Sequence, residues 1–239
     1  MYSQLLPQTF QIILEIVMKK KTKITIFIVA LILSIAWIVI VKTVDVGKVG
    51  PRGSEVGLSL INSSFHDLWH YDECGYNEFW YDLSWYIGLF SLAVVGIHGL
   101  LGLFQLITRK SLWKVDKCIL AVGVLYIVTG GLYLLFEKVV INYRPIIMPG
   151  YQHLEASFPS SHTMLIIIVL GSAMLMAKTY IKKSSARLCI QFALLLIIIA
   201  AILGRVICGV HWFSDIIGGM LISLALLSLF SVFNEKADA

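Results

Sequence analysis

The chain alternates between long apolar runs and short polar segments. Six runs are dominated by Leu, Ile, Val, Phe, Ala and Gly, and they cover 24–41, 84–107, 118–136, 163–177, 188–207 and 215–233. About 20 helical residues are needed to cross roughly 30 Å of hydrocarbon, and a backbone in lipid must satisfy its own hydrogen bonds. The pattern therefore predicts an all-α polytopic membrane protein with six transmembrane helices. The fourth run is short, and it spans the membrane only if His162 or Lys178 and Thr179 lie in the headgroup layer.

Composition agrees with this prediction, because 59% of the 239 residues are hydrophobic and only 14% are charged. An average soluble domain has about 25% charged residues. We expect one transmembrane domain over 24–239, preceded by a cytoplasmic segment over 1–23. Residues 1–17 have an apolar stretch before the basic residues that follow, which is the reverse of a secretory signal. They fit a short interfacial helix, or upstream sequence ahead of a natural start at Met18.

The longest segment outside the predicted spans runs from about 44 to 83. Glycines and Pro51 dominate its first part, and Trp, Tyr and acidic residues dominate its second part. A loop of this length without structure of its own is uncommon, and Trp and Tyr are favoured at the membrane–water interface. We therefore expect one or two short helices on the outer surface between the first and second spans. They either cover the site and contact a lipid, or form an aromatic belt without a ligand role.

Lysine and arginine are distributed unevenly between the two sides of the predicted bundle. Of the 19 Lys and Arg residues, 13 fall on the side that carries both termini and six on the other. The positive-inside rule places the richer side in the cytoplasm, so we expect a cell-membrane protein with both termini cytoplasmic. Anionic membrane lipids are natural partners for that face. Nucleic acid is disfavoured as a partner, because the basic residues are split among short loops.

Candidate chemistry is concentrated in three polar clusters at span ends, all on the predicted outer side. They are Tyr143-Arg144-Pro145, Pro159-Ser160-Ser161-His162, and Arg205 followed by His211 and Asp215. A guanidinium group stays protonated and offers a planar fork of donors to phosphate oxygens. One arginine alone would fit contact with lipid headgroups. Two on the same side, each near a histidine, favour a shared anionic ligand.

The two histidines have different candidate roles. His211 and Asp215 are four residues apart, so on a helix they would share one face. The carboxylate would then accept a hydrogen bond from one ring nitrogen and leave the other nitrogen free to attack; alternatively, Asp215 caps the helix. His162 comes at the start of the fourth span, and a helix N-terminus is a natural anion site. Ser160 and Ser161 are therefore candidate phosphate ligands, and His162 is a candidate proton donor.

In order and spacing, these clusters resemble the membrane branch of the type 2 phosphatidic acid phosphatase (PAP2) superfamily over roughly residues 84–233. The family pattern is a lysine seven residues before Arg-Pro, then Pro-Ser-Gly-His, then Ser-Arg with five residues to His and three more to Asp. The chain departs from it at Glu137, with Lys138 one place later, at Ser161 in place of glycine, and at Gly204 in place of serine. One residue turns a helical side chain by about 100°, so Lys138 reaches a phosphate only if the helix end unwinds or the side chain bends.

The resemblance implies a bacterial lipid phosphatase that requires no metal or other cofactor. His211 would attack phosphorus to form a phosphohistidine, Asp215 would orient it, and His162 would protonate the departing oxygen. The phosphate oxygens would be held by Arg144, Arg205, Ser160, Ser161 and, if it reaches them, Lys138. Implied substrates are undecaprenyl pyrophosphate, favoured by an outward site, phosphatidylglycerol phosphate and phosphatidic acid. A lipid phosphotransferase and a non-catalytic lipid-binding or transport protein with a decayed site are alternatives, and the oligomeric state stays open.

Overall fold

The computed structural model describes residues 20–69 and 71–234. Its seven α-helices are α1 (Lys20–Thr43), α2 (Ser59–His66), α3 (Glu78–Arg109), α4 (Lys117–Lys138), α5 (Ser161–Tyr180), α6 (Ser184–Ile207) and α7 (Phe213–Phe233). All of these except α2 are long and apolar enough to span a membrane. The prediction of an all-α protein with six spans is therefore confirmed. The helix suggested for residues 1–17 lies outside the described residues, and residues 20–23 already belong to α1.

The six spanning helices begin between one and six residues before the predicted limits. The fourth span, α5, begins at Ser161 and has 20 residues, so His162 lies in its first turn. The second span, α3, begins six residues earlier than predicted, because the Asn77 side chain accepts a hydrogen bond from the Trp80 N–H and caps the helix. At 32 residues, α3 is about 48 Å long and exceeds the hydrocarbon thickness. The aromatic residues 79–81 therefore lie on α3 and not in the preceding loop.

The predicted short helix between the first two spans is present as α2, and it packs against the start of α7. The Asn62 side chain donates to Ser214 Oγ at 2.9 Å and accepts from the Ser214 N–H at 3.0 Å. The ring of Phe65 stacks on that of Phe213, with centroids 4.0 Å apart. These contacts attach the α1–α3 segment to the part of the bundle that carries His211.

Helix α5 lies at the centre of the bundle. It packs against α3, α4, α6 and α7, while α1 packs along α7. Ile166, Val169 and Leu170 of α5 are fully buried against α6. On the outside, large apolar side chains of α3 and α4 remain exposed, as expected for helix faces in contact with lipid. The charged and polar groups of the candidate site are therefore carried on a rigid apolar scaffold.

The ends of sequential helices lie at alternating ends of the bundle, as expected for antiparallel spans. Lys23 Nζ donates to the Ser231 carbonyl at 3.2 Å, which joins the start of α1 to the end of α7. Asp116, just before α4, accepts hydrogen bonds from Arg109 at the end of α3 and from Tyr180 at the end of α5. All three polar clusters consequently lie at the opposite end of the bundle.

Candidate active site

His211 lies in the short connection between α6 and α7 and is 4% exposed. The chain turns there through Gly209, which has φ of 79°, a conformation that favours glycine. Because α7 begins only at Phe213, the predicted helical pairing of His211 with Asp215 is wrong. Ser157 lies between them instead: its Oγ donates to Asp215 Oδ2 at 2.6 Å and is 3.0 Å from His211 Nδ1.

The contacts of His211 determine which ring nitrogen carries the proton. Nδ1 is 3.1 Å from the Ser157 carbonyl oxygen, which can only accept a hydrogen bond. The proton of the neutral ring is therefore on Nδ1, and Nε2 keeps its lone pair. Nε2 is buried and has no hydrogen-bond partner among the described residues. The predicted free nitrogen is thus present, although Ser157 and not Asp215 fixes it.

Asp215 is completely buried, and its carboxylate is surrounded by donors. Besides Ser157, it accepts from Asn142 Nδ2 at 3.1 Å and from the Trp212 N–H at 3.1 Å. The Trp212 contact caps the first turn of α7. The two interpretations of Asp215 are therefore compatible, since the same carboxylate caps a helix and is linked to His211 through Ser157.

The α4–α5 connection brings these residues together. Tyr143 and Ala156 form an isolated antiparallel bridge, and the Ser157 N–H donates to the Asn142 carbonyl at 2.9 Å. Neither Asn142 nor Ser157 was predicted from the sequence. Their positions offered a clue, because each lies beside one of the polar clusters. Asn142 is two residues before Arg144, and Ser157 is two residues before Pro159.

Arg205 is an almost fully buried cation, with 1% of its surface exposed. Its Nη1 donates to Ser84 Oγ at 3.2 Å, and its guanidinium carbon is 5.4 Å from the centre of the Tyr81 ring. Among the described residues, no carboxylate lies within salt-bridge distance of it, and its Nε has no partner. A buried charge without a counterion is costly, so this position suits an anionic ligand.

Arg144 is held differently. It follows α4 in the loop, and its Nε lies 3.6 Å from Glu155 Oε2. The charge of Arg144 nevertheless influences His211, the candidate nucleophile. The pKa of His211 is lowered well below its usual value, first by burial and then by the charges of Arg144, Arg205 and His162. The charges of both arginines and of His162 therefore act on His211.

The residues of the α5 start have separate environments. The His162 ring packs against α3, where a Cβ added to Gly88 would lie 3.3 Å from His162 Cδ2. Ser161 lines the cavity beside His211. Ser160 is fully buried; its N–H donates to the Asp215 carbonyl, and its hydroxyl accepts from Thr163. Ser160 has only its hydroxyl proton left for a ligand.

The end of α4 places Glu137, and not Lys138, at the cavity. The helix continues to Lys138, so its end is not unwound. Glu137 lines the small cavity that contains His211, whereas Lys138 is absent from the described lining of that cavity. Contact between Lys138 and a phosphate therefore requires its side chain to bend around the helix end.

Two cavities meet at this site. An apolar groove of about 450 Å³ runs between α3, α4 and α5, and it ends at His162. The small cavity beside it contains His211 and Glu137. Tyr133, Ser161 and Met164 line both cavities. The arrangement is suited to an amphiphile, with the anionic head where the two cavities meet and the apolar tail in the groove.

Comparison with known proteins agrees with this geometry. The model of the PAP2 superfamily matches residues 117–238. The crystal structure of the first transmembrane PAP2 type phosphatidylglycerolphosphate phosphatase from Bacillus subtilis has a similar fold. It aligns with a TM-score of 0.58 and 19% identity, over 90% of this chain and 97% of that chain. No curated protein matches the sequence significantly.

The fold and the site define a multi-pass membrane phosphatase. The family match covers slightly more than half of the sequence, and the chain belongs to the PAP2 superfamily. The resemblance inferred from the three polar clusters is thereby confirmed. Membership of this family supports the assignment as a phosphatase.

Proposed function

We propose that this enzyme hydrolyses a lipid phosphate or pyrophosphate at the outer face of the cell membrane through a phosphohistidine intermediate. The observation that carries the proposal is the junction of the apolar groove with the cavity that contains His211. A lipid tail in the groove places its phosphate at His162, next to the cavity with His211, on which the charges of Arg144 and Arg205 act. A soluble phosphate ester would have no use for a groove of this size and composition.

Arg144 and Arg205 bind the phosphate oxygens and balance the charge that develops on them. Arg205 lacks a carboxylate partner among the described residues, so its fork of donors is available to the ligand. Ser161 adds donors from the first turn of α5 and Ser160 adds its hydroxyl, whereas Lys138 contributes only if its side chain reaches the cavity. Oriented donors of this kind usually supply the largest share of catalysis in phosphoryl transfer.

The first chemical step is attack by the lone pair of His211 Nε2 on phosphorus. A nitrogen–phosphorus bond forms while the bond from phosphorus to the lipid oxygen breaks. His162, at the end of the groove, donates a proton to that departing oxygen. The lipid alcohol or lipid monophosphate leaves along the groove.

Water completes the reaction. His162, now neutral, accepts a proton from the water that attacks phosphorus, and the nitrogen–phosphorus bond breaks. The electron pair returns to His211 Nε2, inorganic phosphate is released, and His162 is again protonated. Asp215 keeps His211 oriented throughout through the contacts described above.

The same geometry supports a lipid phosphate as the substrate class. Undecaprenyl pyrophosphate, phosphatidylglycerol phosphate and phosphatidic acid all join a phosphate at headgroup depth to a long apolar chain. The similar fold belongs to a phosphatidylglycerolphosphate phosphatase, which supports a lipid phosphate as substrate. We favour undecaprenyl pyrophosphate, because an outward site suits recycling of that carrier.

The orientation rests on the basic residues. The end of the bundle opposite the site carries most of the lysines and arginines, and this bias favours the cytoplasm. We propose that both termini are cytoplasmic and that the site faces outward. Labelling of single cysteines introduced into the α4–α5 connection of intact cells, with the α5–α6 connection as the matched position, measures this orientation.

The test of function is a phosphate-release assay in detergent across lipid mono- and diphosphates, with His211→Ala as the control. We expect turnover of at least one lipid phosphate, without any added alcohol, and none with His211→Ala. Turnover that requires an alcohol acceptor would indicate a phosphotransferase. Activity equal in the wild type and in His211→Ala would overturn the proposal.

A further inference from the structure

We propose that Ser157 is a positioning residue, whose hydroxyl group couples the nucleophile His211 to the carboxylate of Asp215. This inference rests on the function proposed above and adds a residue to it. Ser157 is 2% exposed and lies within hydrogen-bond distance of both partners. It lines the same cavity as His211.

The direction of each hydrogen bond follows from proton counting. A serine hydroxyl has one proton, and a carboxylate can only accept. The short 2.6 Å contact therefore directs the Ser157 proton to Asp215 Oδ2. The Ser157 oxygen can then only accept, and it shares the single Nδ1 proton of His211, at 3.0 Å, with the Ser157 carbonyl oxygen at 3.1 Å.

This chain of hydrogen bonds acts when His211 becomes charged. Attack through Nε2 leaves the ring positively charged, with its proton still on Nδ1. Asp215 polarises the Ser157 hydroxyl, so its oxygen becomes a better acceptor for that proton. When water breaks the nitrogen–phosphorus bond, the ring is neutral again. No proton has to pass through Ser157, because the hydroxyl transmits charge stabilisation alone.

The position of the Ser157 backbone does not depend on its hydroxyl. Its N–H donates to the Asn142 carbonyl at 2.9 Å, and its carbonyl oxygen faces His211 Nδ1 at 3.1 Å. Asn142 also donates directly to Asp215. Removal of the hydroxyl therefore leaves the loop attached at both sides. The catalytic contribution of the hydroxyl is separable from the structural contribution of the loop.

The experiment compares Ser157→Ala and Ser157→Cys with the wild type in the phosphate-release assay. Cysteine nearly preserves the volume of serine but is a weak hydrogen-bond donor. A hydrogen bond to a charged group contributes enough that we expect kcat to fall about 10- to 100-fold in both variants. KM and the inhibition constant of inorganic phosphate should stay within about twofold, because the arginines are unchanged.

Ser34→Ala is the matched control, since Ser34 is a buried serine whose hydroxyl donates to the Ala30 carbonyl of its own helix and has no other partner in the described part of the chain. Its kinetics should equal the wild type. Ser157→Ala should lower kcat much less in an Asp215→Asn background than in the wild type, because the two groups act as one unit. Ser157→Thr, which keeps a hydroxyl group, should retain more activity than Ser157→Ala.

Three outcomes would overturn the inference: a folded Ser157→Ala or Ser157→Cys with wild-type kcat, a loss confined to KM, or a loss that adds fully to that of Asp215→Asn. These are distinguishable from failure of the proposed function. If the wild type itself releases no phosphate above His211→Ala, the phosphatase reaction is wrong. If the wild type turns over and the Ser157 variants match it, only the role of Ser157 is wrong.

Discussion

The two histidines of the site lie in contrasting surroundings. His211 is enclosed by hydrogen bonds from the α4–α5 connection, and behind it Asp215 is held by three further donors. His162 lies at the end of an apolar groove, against a glycine of α3. One side of the site therefore holds the proposed nucleophile in place, and the other side faces the groove proposed to bind the lipid tail.

This difference indicates that the two sides of the site have different functions. The proposed nucleophile has to meet phosphorus in one geometry, and the dense polar network around His211 reduces the entropy lost in orienting it. The leaving group is bulky and apolar, so the acid has to work beside a surface that excludes water. Variants that affect only one side should therefore separate phosphate chemistry from lipid recognition.

The largest effect that separates the two sides is expected from His162→Ala. Loss of a general acid costs about 10²- to 10⁴-fold when the leaving group is a poor one. Lipid alcohols are poor leaving groups, whereas p-nitrophenol leaves without help. We therefore expect a large loss of kcat with a lipid phosphate and a loss of less than about tenfold with p-nitrophenyl phosphate. Equal losses with both substrates would remove the acid role from His162.

Arg205→Lys should have the next largest effect, because lysine keeps the charge but loses the planar fork. We expect kcat/KM to fall about 100-fold for lipid and p-nitrophenyl phosphates alike. Arg109→Lys is the control, since that arginine pairs with Asp116 at the other end of the bundle. Retention of kcat/KM within threefold in Arg205→Lys would show that the guanidinium does not hold the phosphate.

A third variant tests the groove alone. Gly130 lines the groove, and a Cβ added there would have no atom of the described residues within 4 Å outside its own stretch of helix, so we expect Gly130→Leu to fill space without strain. We expect the leucine side chain to displace about two methylene groups of the lipid tail from the groove. At about 0.8 kcal/mol for each methylene group, kcat/KM for a long-chain lipid phosphate should fall roughly tenfold. A short-chain phosphate should be unaffected.

Gly131→Leu is the matched control for this variant. Gly131 is the next residue of α4, its Cβ position is equally open, and it is absent from the described lining of the groove. Long-chain turnover should therefore be unchanged in Gly131→Leu. If the two leucine variants behave identically, the groove does not bind the lipid tail.

The spans were predictable from the sequence because lipid imposes one requirement on every helix that crosses it. The early start of α3 was not, since Asp82 and the aromatic residues before it resemble an interfacial loop. Ser157 and Asn142 also escaped prediction, because they contact Asp215 across 58 and 73 residues. The spacing of residues along the chain predicts which side chains are neighbours on one helix. It does not predict contacts that the α4–α5 connection makes with residues far away in the sequence.

One departure from the family pattern, Gly204, has a structural explanation. A Cβ on Gly204 would lie 3.3 Å from the Trp80 carbonyl oxygen, so glycine allows α6 to approach α3 closely. That approach brings Arg205 to Ser84 and Tyr81. Gly204 therefore serves packing beside the site, and it is not a sign that the site has decayed.

The smallest effect is expected at the end of α4. The sequence pattern directs attention to Lys138, whereas the structure places the adjacent Glu137 at the cavity. Glu137 lines the cavity with His211, and Lys138 is turned about 100° from it. A carboxylate near a bound phosphate is repulsive, so Glu137→Gln should lower KM roughly two- to fivefold, in line with about 1 kcal/mol for a partly exposed charge. Lys138→Ala should change KM by less than about twofold, since screening weakens an exposed charge directed elsewhere. A several-fold rise in KM for Lys138→Ala would instead show that the lysine bends into the site and supplies the cation that the family pattern places one residue earlier.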